Sequence, residues 1–301
     1  MMCLFSNRET QISGNLFMAD MTNREAVKHG AKFLEQFGIE NAEHDSRELF
    51  MEASGMNMTK YLLDASKRVD KAVYEKFESF IARRGRHEPL QHILGKTWFF
   101  GHEFIVNRDV LVPRPDTELL VEQALSELKK KERPDVLDMC TGSGCIIISL
   151  ASEISMGNGM GADFSDKALQ TAKINAEKNG VENISFVRSD LFKNIPSGIS
   201  FDMIVSNPPY IETAMIETLS EEVRLFDPYE ALDGDEDGLK FYREITAAAT
   251  VFLRKGGWLM YEIGCSQAEA VSGIMSDAGF GDIKVVKDLA GLDRVVRGRL
   301  K

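Results

Sequence analysis

Beyond residue 135, short apolar runs alternate with stretches of helical periodicity, which confines this part of the chain to an α/β fold with a parallel sheet. Strands are predicted near 135–138, 184–188, 201–205, 257–263, 283–286 and 294–299. Helices are predicted over 145–153, 166–179, 239–253 and 266–278. The second strand of the series, 156–163, is rich in glycine and poor in β-formers. Either its glycines permit a close backbone approach, or the strand is short.

Ahead of this alternation, residues 22–83 carry helix signals and almost no strand signal. Thr22-Asn23-Arg24-Glu25 is a capping-box pattern, followed by Val27, Ala31, Phe33, Leu34 and Phe37 and a stop at Gly38. A second helix is predicted over 42–53 with Gly55 beyond it. A third covers 70–82, with Val73, Phe77, Phe80 and Ile81 at helical spacing and Gly85 past its end. Such stripes make a small helical bundle, whose surface could also bind a partner. After Glu88-Pro89 the period changes, and 90–94 with 98–106, around Gly95 and Gly101, reads as a hairpin or pair of short strands. The proline-stiffened loop Leu111-Val112-Pro113-Arg114-Pro115-Asp116-Thr117-Glu118 then opens a helix ending near Lys129-Lys130-Lys131, lysines that suit a helix C-terminus. Arg114 and Glu118 are either solvated or turned toward a ligand.

Composition excludes some classes. With 36 Lys and Arg against 47 Asp and Glu, the formal charge of −11 disfavours non-specific attraction to nucleic acid. Cys3, Cys140, Cys145 and Cys265 form no C-x-x-C pair, as expected of reduced thiols in a cytoplasmic protein. No apolar run approaches the roughly 18–20 residues that a bilayer span needs, so no membrane partner is expected. Arg8 and Glu9 interrupt any secretory apolar core, and residues 1–20 read as a loose extension, or as sequence upstream of a start at Met18 or Met21. The five histidines show no ligand spacing. Asp233-x-Asp235-x-Asp237-Gly238 with Glu244 fits a calcium-loop formula, but Lys240 stands where an apolar residue is usual and no helix clearly precedes it; no metal is expected.

The chemistry gathers at strand ends. The apolar run 201–205 meets Ser206-Asn207-Pro208-Pro209-Tyr210, and two prolines cannot continue a central strand. The Asn207 side-chain oxygen and the Pro208 carbonyl become two fixed acceptors at the sheet edge where α/β proteins bind ligands. Two rigid acceptors can hold an –NH2 group with its lone pair aimed one way. Asp138-Met139-Cys140-Thr141-Gly142-Ser143-Gly144 is a strand-to-helix turn whose glycines let backbone approach a ligand. Asp163 ends the next strand, placed to accept from ribose hydroxyls, and Asp190 ends the third, placed to accept from an exocyclic amino group.

This series resembles the S-adenosylmethionine-dependent methyltransferases that act on planar amino groups, and most closely the release-factor glutamine-N5 methyltransferases of the HemK/PrmC type. The resemblance runs from about Thr22 to the C-terminus. It takes in Glu88-Pro89-Leu90-Gln91-His92-Ile93-Leu94-Gly95, Val112-Pro113-Arg114-Pro115-Asp116-Thr117-Glu118 and Ala231-Leu232-Asp233-Gly234 through Gly238-Leu239-Lys240-Phe241-Tyr242. It closes on Asp288-Leu289-Ala290-Gly291-Leu292-Asp293-Arg294. Cys140, where glycine is frequent, and the glycine-rich second strand depart from the pattern.

The resemblance implies a Rossmann-like class I sheet with an N-terminal all-α bundle joined by a β-hairpin. The implied divisions are an extension over 1–20, a substrate-docking helical domain over 21–87, a hairpin linker over 88–108 and a methyltransferase domain over 109–301. It implies S-adenosylmethionine at Asp138, Cys140, Thr141, Gly142, Ser143, Gly144, Asp163, Asp190, Leu191 and Asn207. Asn207, Pro208, Pro209 and Tyr210 are the implied catalytic stretch, with Phe100, Arg114 and Glu118 joining them at the substrate. The implied substrate is the glutamine amide in the Gly-Gly-Gln tripeptide of peptide-chain release factors, with no direct nucleic-acid partner. Two alternatives stay open: N6-adenine methylation of DNA or RNA, because Asn-Pro-Pro-Tyr offers an adenine amino group the same acceptors, and a non-enzymatic cofactor-binding or docking protein.

Overall fold

The computed structural model describes residues 21–301, so the extension read over 1–20 lies outside the described residues. The chain divides into two compact units that meet in sequence between Leu94 and Gly95.

The first unit is helical: α1 (Asn23–Gln36), α2 (Ala42–Ser54), α3 (Met58–Asp64), α4 (Lys71–Arg84) and α5 (Leu90–Leu94). The capping box forms, with Thr22 accepting from the Glu25 N–H and Glu25 accepting from the Thr22 N–H. Asp70 caps α4 by accepting from Ala72 and Val73, and α2 stops at Gly55 in the left-handed conformation. Leu34, Leu49, Phe50 and Phe77 form the centre of its core. Beside that core lies a buried ion pair, Arg84 Nε to Asp45 Oδ2 at 2.7 Å. Residues 90–94 correct the sequence reading: they are helical, not a strand. Pro89 immediately precedes the helix and its carbonyl accepts the Ile93 N–H, and five residues are too few for periodicity to reveal the turn.

The second unit opens with a hairpin, β1 (Lys96–Phe99) and β2 (His102–Ile105), followed by α6 (Pro115–Leu128). Then come β3 (Val136–Met139), α7 (Cys145–Glu153), β4 (Gly159–Asp163), α8 (Asp166–Lys178), β5 (Ile184–Arg188) and β6 (Phe201–Ser206). After α9 (Glu221–Phe226) come α10 (Lys240–Phe252), β7 (Leu253–Glu262), α11 (Ala268–Asp277), β8 (Phe280–Lys287) and β9 (Asp293–Leu300). The seven-stranded sheet has the order β5-β4-β3-β6-β7-β9-β8, and pairing is parallel from β5 to β7 and antiparallel beyond. Winding runs outward from β3 through β4 to β5, then resumes from β6 on the other side. The β3/β6 boundary is therefore the switch point where such sheets open a ligand crevice.

Both faces of the sheet are covered, and β3 is buried at every position. One core cluster joins Leu120, Val121, Ile147 and Val205; the other joins Leu137, Ile204, Tyr242 and Tyr261. The weak second strand forms as β4. A side chain at Gly161 would meet the Phe186 ring at 2.8 Å and Thr141 Oγ1 at 3.0 Å, so glycine lets neighbouring groups close in. The acidic excursion between β6 and α10, read as loop, holds α9 and two 3-10 turns, Thr213–Thr218 and Tyr229–Ala231.

Candidate functional site

Parallel register brings the C-terminal ends of five strands to one edge. Met139 pairs with Ala162 and Ser206, Ser206 pairs with Tyr261, and Asp163 pairs with Arg188. Along that edge the following residues come in the order Asp190, Asp163, the 140–144 turn, Asn207 and Glu262. Ser206 Oγ donates to the Met139 carbonyl at 2.6 Å and ties the two central strand ends together.

The turn after β3 is built on three left-handed residues, Cys140 (φ 61), Gly142 (φ 54) and Gly144 (φ 79). Cys140 adopts the conformation usually left to glycine, which answers the departure noted in the sequence. Asp163 holds the turn from the next strand: Oδ2 accepts the Gly142 N–H at 2.8 Å, and Oδ1 accepts the Ser165 N–H at 2.9 Å. Burial raises the Asp163 pKa, and these backbone hydrogen bonds oppose the rise. Its two oxygens offer about four acceptor sites, more than these backbone N–H groups fill, so capacity remains for a hydroxyl. At Gly142 a side chain would stand in open space, so the bare backbone there is open to a ligand. This donor and acceptor set fits a ribose-bearing cofactor.

Asp138 is wholly buried, and its Oδ2 accepts the Thr141 hydroxyl at 2.6 Å, so it shapes the turn from within, while its Oδ1 has no hydrogen-bond partner among the described residues. Burial pushes its pKa up to about 7. Asp190 is exposed and ion-paired with Lys193, and Leu191, which follows it, takes φ 47. Exposed Phe164 lies next to Asp163 in sequence, under the Arg188 guanidinium; no periodicity marked it.

At the end of β6, Asn207 Nδ2 donates to Thr117 Oγ1 at 3.4 Å. Neither Asn207 Oδ1 nor the Pro208 carbonyl accepts a hydrogen bond from the described residues, so both acceptors remain available. Tyr210 donates its hydroxyl to Glu262 Oε1 at 3.4 Å, and its carbonyl accepts from Gln267 Nε2 at 3.0 Å. Gln267 Nε2 also reaches the Gly238 carbonyl, and its Oε1 accepts the Gly264 N–H. Glu262 is buried. That burial pushes its pKa up to about 7, against the Thr117 hydroxyl that hydrogen-bonds to it and the nearby Arg294 charge.

The remaining expected residues divide. Phe100 sits at the β1–β2 turn with φ 49, and Glu118 Oε1 accepts its N–H at 2.7 Å, so Glu118 braces Phe100. Arg114 Nη2 donates to Asp227 Oδ2 at 2.9 Å, and the Asp227 side chain is fully buried. The carboxylates of the calcium-like loop engage their own chain: Asp233 accepts from Thr213, Asp235 pairs with Lys240, and Asp237 pairs with Arg243. Sequence reasoning missed Thr117, Glu262, Gln267 and Arg294 as parts of the site. Glu262 carried one signal, a lone acid closing the apolar run of β7.

Comparison with known proteins places the chain in a family. Residues 25–95 match the family model described as the PrmC N-terminal domain, and residues 130–280 match a methyltransferase domain model. A release factor glutamine methyltransferase of Geobacter sulfurreducens is 41% identical over 280 residues, covering 93% of this chain and 97% of its own. A release factor glutamine methyltransferase of Agrobacterium fabrum is 40% identical over 273 residues, covering 89% and 94%. Among solved structures, the hMettl16 catalytic domain, in complex with the MAT2A 3'UTR hairpin 6, superposes with a TM-score of 0.54 at 16% identity, covering 67% of this chain and 77% of that one. A T. thermophilus 16S rRNA N2 G1207 methyltransferase, in complex with AdoMet and guanosine, gives a TM-score of 0.50 at 17% identity, covering 68% and 50%. At such identities these two structures show the fold alone.

Proposed function

This chain belongs to the release factor glutamine methyltransferase family, and from that premise we propose that it methylates the glutamine side-chain amide of the Gly-Gly-Gln tripeptide in peptide-chain release factors, with Asn207 and Pro208 as the groups that hold the amide. It is an enzyme with a class I methyltransferase fold, and its cofactor is S-adenosylmethionine. When bound, that cofactor supplies an electrophilic methyl group on a sulfonium centre.

The observation that carries the reading is the pair of open acceptors at the end of β6, beside the 140–144 turn. A carboxamide nitrogen is a poor nucleophile because its lone pair is delocalised into the carbonyl. Two acceptors that take both N–H groups favour the form in which the lone pair is free and directed at the incoming methyl. No strong base would be needed before attack: as the N–C bond forms the S–CH3 bond would break, S-adenosylhomocysteine would leave as a neutral thioether, and the methylated nitrogen would then lose its proton to solvent. Alignment can supply about 7–11 kcal/mol of the barrier and a preorganised polar contact about 3, so positioning dominates.

Asp163 is assigned to the ribose hydroxyls, Gly142 and its neighbours to the close backbone approach, and Asp190 with Leu191 to the base. Phe100, held by Glu118, lines the glutamine pocket together with Tyr210. Arg114 faces the release factor from its Asp227 anchor. The helical unit ending at Leu94 serves in docking the release factor, which the match of residues 25–95 to the PrmC N-terminal domain supports. Release factors work at the ribosome, so the site of action is the cytoplasm; no helix among the described residues is long and apolar enough to cross a membrane. The relatives' names favour the release-factor substrate over the adenine alternative.

The test incubates purified chain with methyl-labelled S-adenosylmethionine and either a release factor or DNA. Label is expected on the release-factor glutamine and is abolished by Asn207→Ala. Label on DNA alone would reject the reading.

A further inference from the structure

We propose that Thr117 and Glu262 are positioning residues that decide which end of the Asn207 carboxamide faces the substrate, a role that rests on the amide-methylation reading above. A carboxamide has a donor end and an acceptor end of nearly equal shape, and only its hydrogen bonds tell them apart. Holding an –NH2 substrate requires the acceptor. A flipped Asn207 would oppose the substrate's two donors with two of its own.

The structure supplies a chain of hydrogen bonds with one direction. Asn207 Nδ2 donates to Thr117 Oγ1 at 3.4 Å, which leaves Oδ1 for the substrate. A hydroxyl that accepts this hydrogen must send its own proton elsewhere. Thr117 is only 2% exposed, so bulk water is not at hand; the Glu262 carboxyl group, whose buried Oε2 has no hydrogen-bond partner among the described residues, is the acceptor its side chain acts on. Tyr210 donates to the same carboxyl group at 3.4 Å. In its ionised form, which predominates above about pH 7, the Glu262 carboxylate can only accept, so every bond in the chain then points toward it. Its place follows from register: Tyr261 pairs with Ser206, so the residues that follow on β7 and β6, Glu262 and Asn207, lie side by side. The charges around Glu262 are Arg294 of β9 and Asp116 of α6, and Arg294 Nη2 reaches Asp116 Oδ2 at 3.3 Å and Asp288 Oδ2 at 3.1 Å. Bonds of 3.4 Å are long, and hydrogen bonds of this kind commonly tighten once substrate is bound.

Three variants separate direction from packing. Glu262→Gln introduces a donor that can feed Thr117 and reverse the chain. Thr117→Val removes the link at nearly constant shape, and Thr117→Ser restores it. With S-adenosylmethionine and a release factor, kcat is expected to fall about 100-fold in Glu262→Gln and about tenfold in Thr117→Val, while KM and cofactor Kd stay within about twofold. Thr117→Ser is expected to recover near wild-type kcat.

In 15N spectra of the full chain labelled at asparagine, the Asn207 carboxamide pair is assigned by its absence in Asn207→Ala. It should shift in Glu262→Gln and Thr117→Val and stay in place in Thr117→Ser. An unmoved pair, or a loss of cofactor affinity in step with kcat, would overturn the positioning role. Should Glu262→Gln fail to fold, the two Thr117 variants carry the comparison. The spectra need no turnover. A wild-type chain that methylates no release factor, yet shows the shifts, would refute the substrate reading and leave the directed chain supported.

Discussion

Glu262 makes a prediction about stability that is separable from catalysis. The residue is 2% exposed, and burial moves its pKa from the ordinary 4.5 to about 7. The folded state therefore binds a proton that the unfolded chain has already released between those values, so stability falls as pH rises through that window. The rise corresponds to about 3 kcal/mol, a large share of the roughly 5–15 kcal/mol that holds a typical domain together. The cost is absent below about pH 4.5 and fully present above about pH 7. Glu262→Gln cannot ionise and lacks this slope, although its altered hydrogen bonds add an offset that does not vary with pH. The assay is urea unfolding of wild type and Glu262→Gln at intervals from about pH 5 to pH 8.5, read as the difference between the two. Buried Asp138 and Asp227, raised to about 7 and about 6, bend both curves the same way and cancel in that difference. The variant should gain on the wild type by about 2.5 kcal/mol across the range. A difference that is flat with pH would refute the view that this carboxyl is held at the cost of folding energy.

Three further outcomes follow from the packing. Gly161→Val drives a side chain into the Phe186 ring and Thr141, with contacts of 2.8 and 3.0 Å already at Cβ, and should cost about 1–3 kcal/mol in thermal unfolding; an unchanged Tm would contradict the close-approach account of β4. Asp45→Ala removes the carboxylate that Arg84 Nε donates to in the helical unit and should destabilise it by about 3–5 kcal/mol, whereas Asp45→Leu with Arg84→Met should recover most of the loss, as judged by circular dichroism melts. Asp163→Ala removes the acceptor beside Gly142 and should raise the Kd for S-adenosylmethionine about 10–100-fold by calorimetry; an unaltered Kd would remove Asp163 from the cofactor site.

How much of this could be read from residues alone depended on whether the signal was local. The strand-helix alternation, the capping box at Thr22 and the glycine stops are patterns within one element, and they appear in the structure where periodicity put them. The turn after β3 and the bend at Asn207 were legible because prolines and glycines restrict φ whatever surrounds them. The contact of Asp138 with Thr141 was not legible, because a strand-end acid looks alike in sequence whatever hydrogen bonds it makes inside the turn. The helix over 90–94 escaped because a single turn after a proline is too short to show a period. Thr117 and Glu262 lie 90 and 55 positions from Asn207 in opposite directions, so only strand register and the docking of α6 reveal that they meet. Glycine-rich β4 was ambiguous for the same reason: what crowds Gly161 is Phe186, on the neighbouring strand.

Gln267 has a consequence for how this scaffold can diversify. One carboxamide grips the chain at Tyr210, where the excursion leaves the sheet, and at Gly238, where it returns. The stretch 211–237 is thus a loop stapled at its base, and its exposed positions, away from buried Ile216, Asp227 and Leu232, can change sequence without loosening the bend that holds the nitrogen. Recognition of new protein targets could be grafted there while the chemistry below stays untouched.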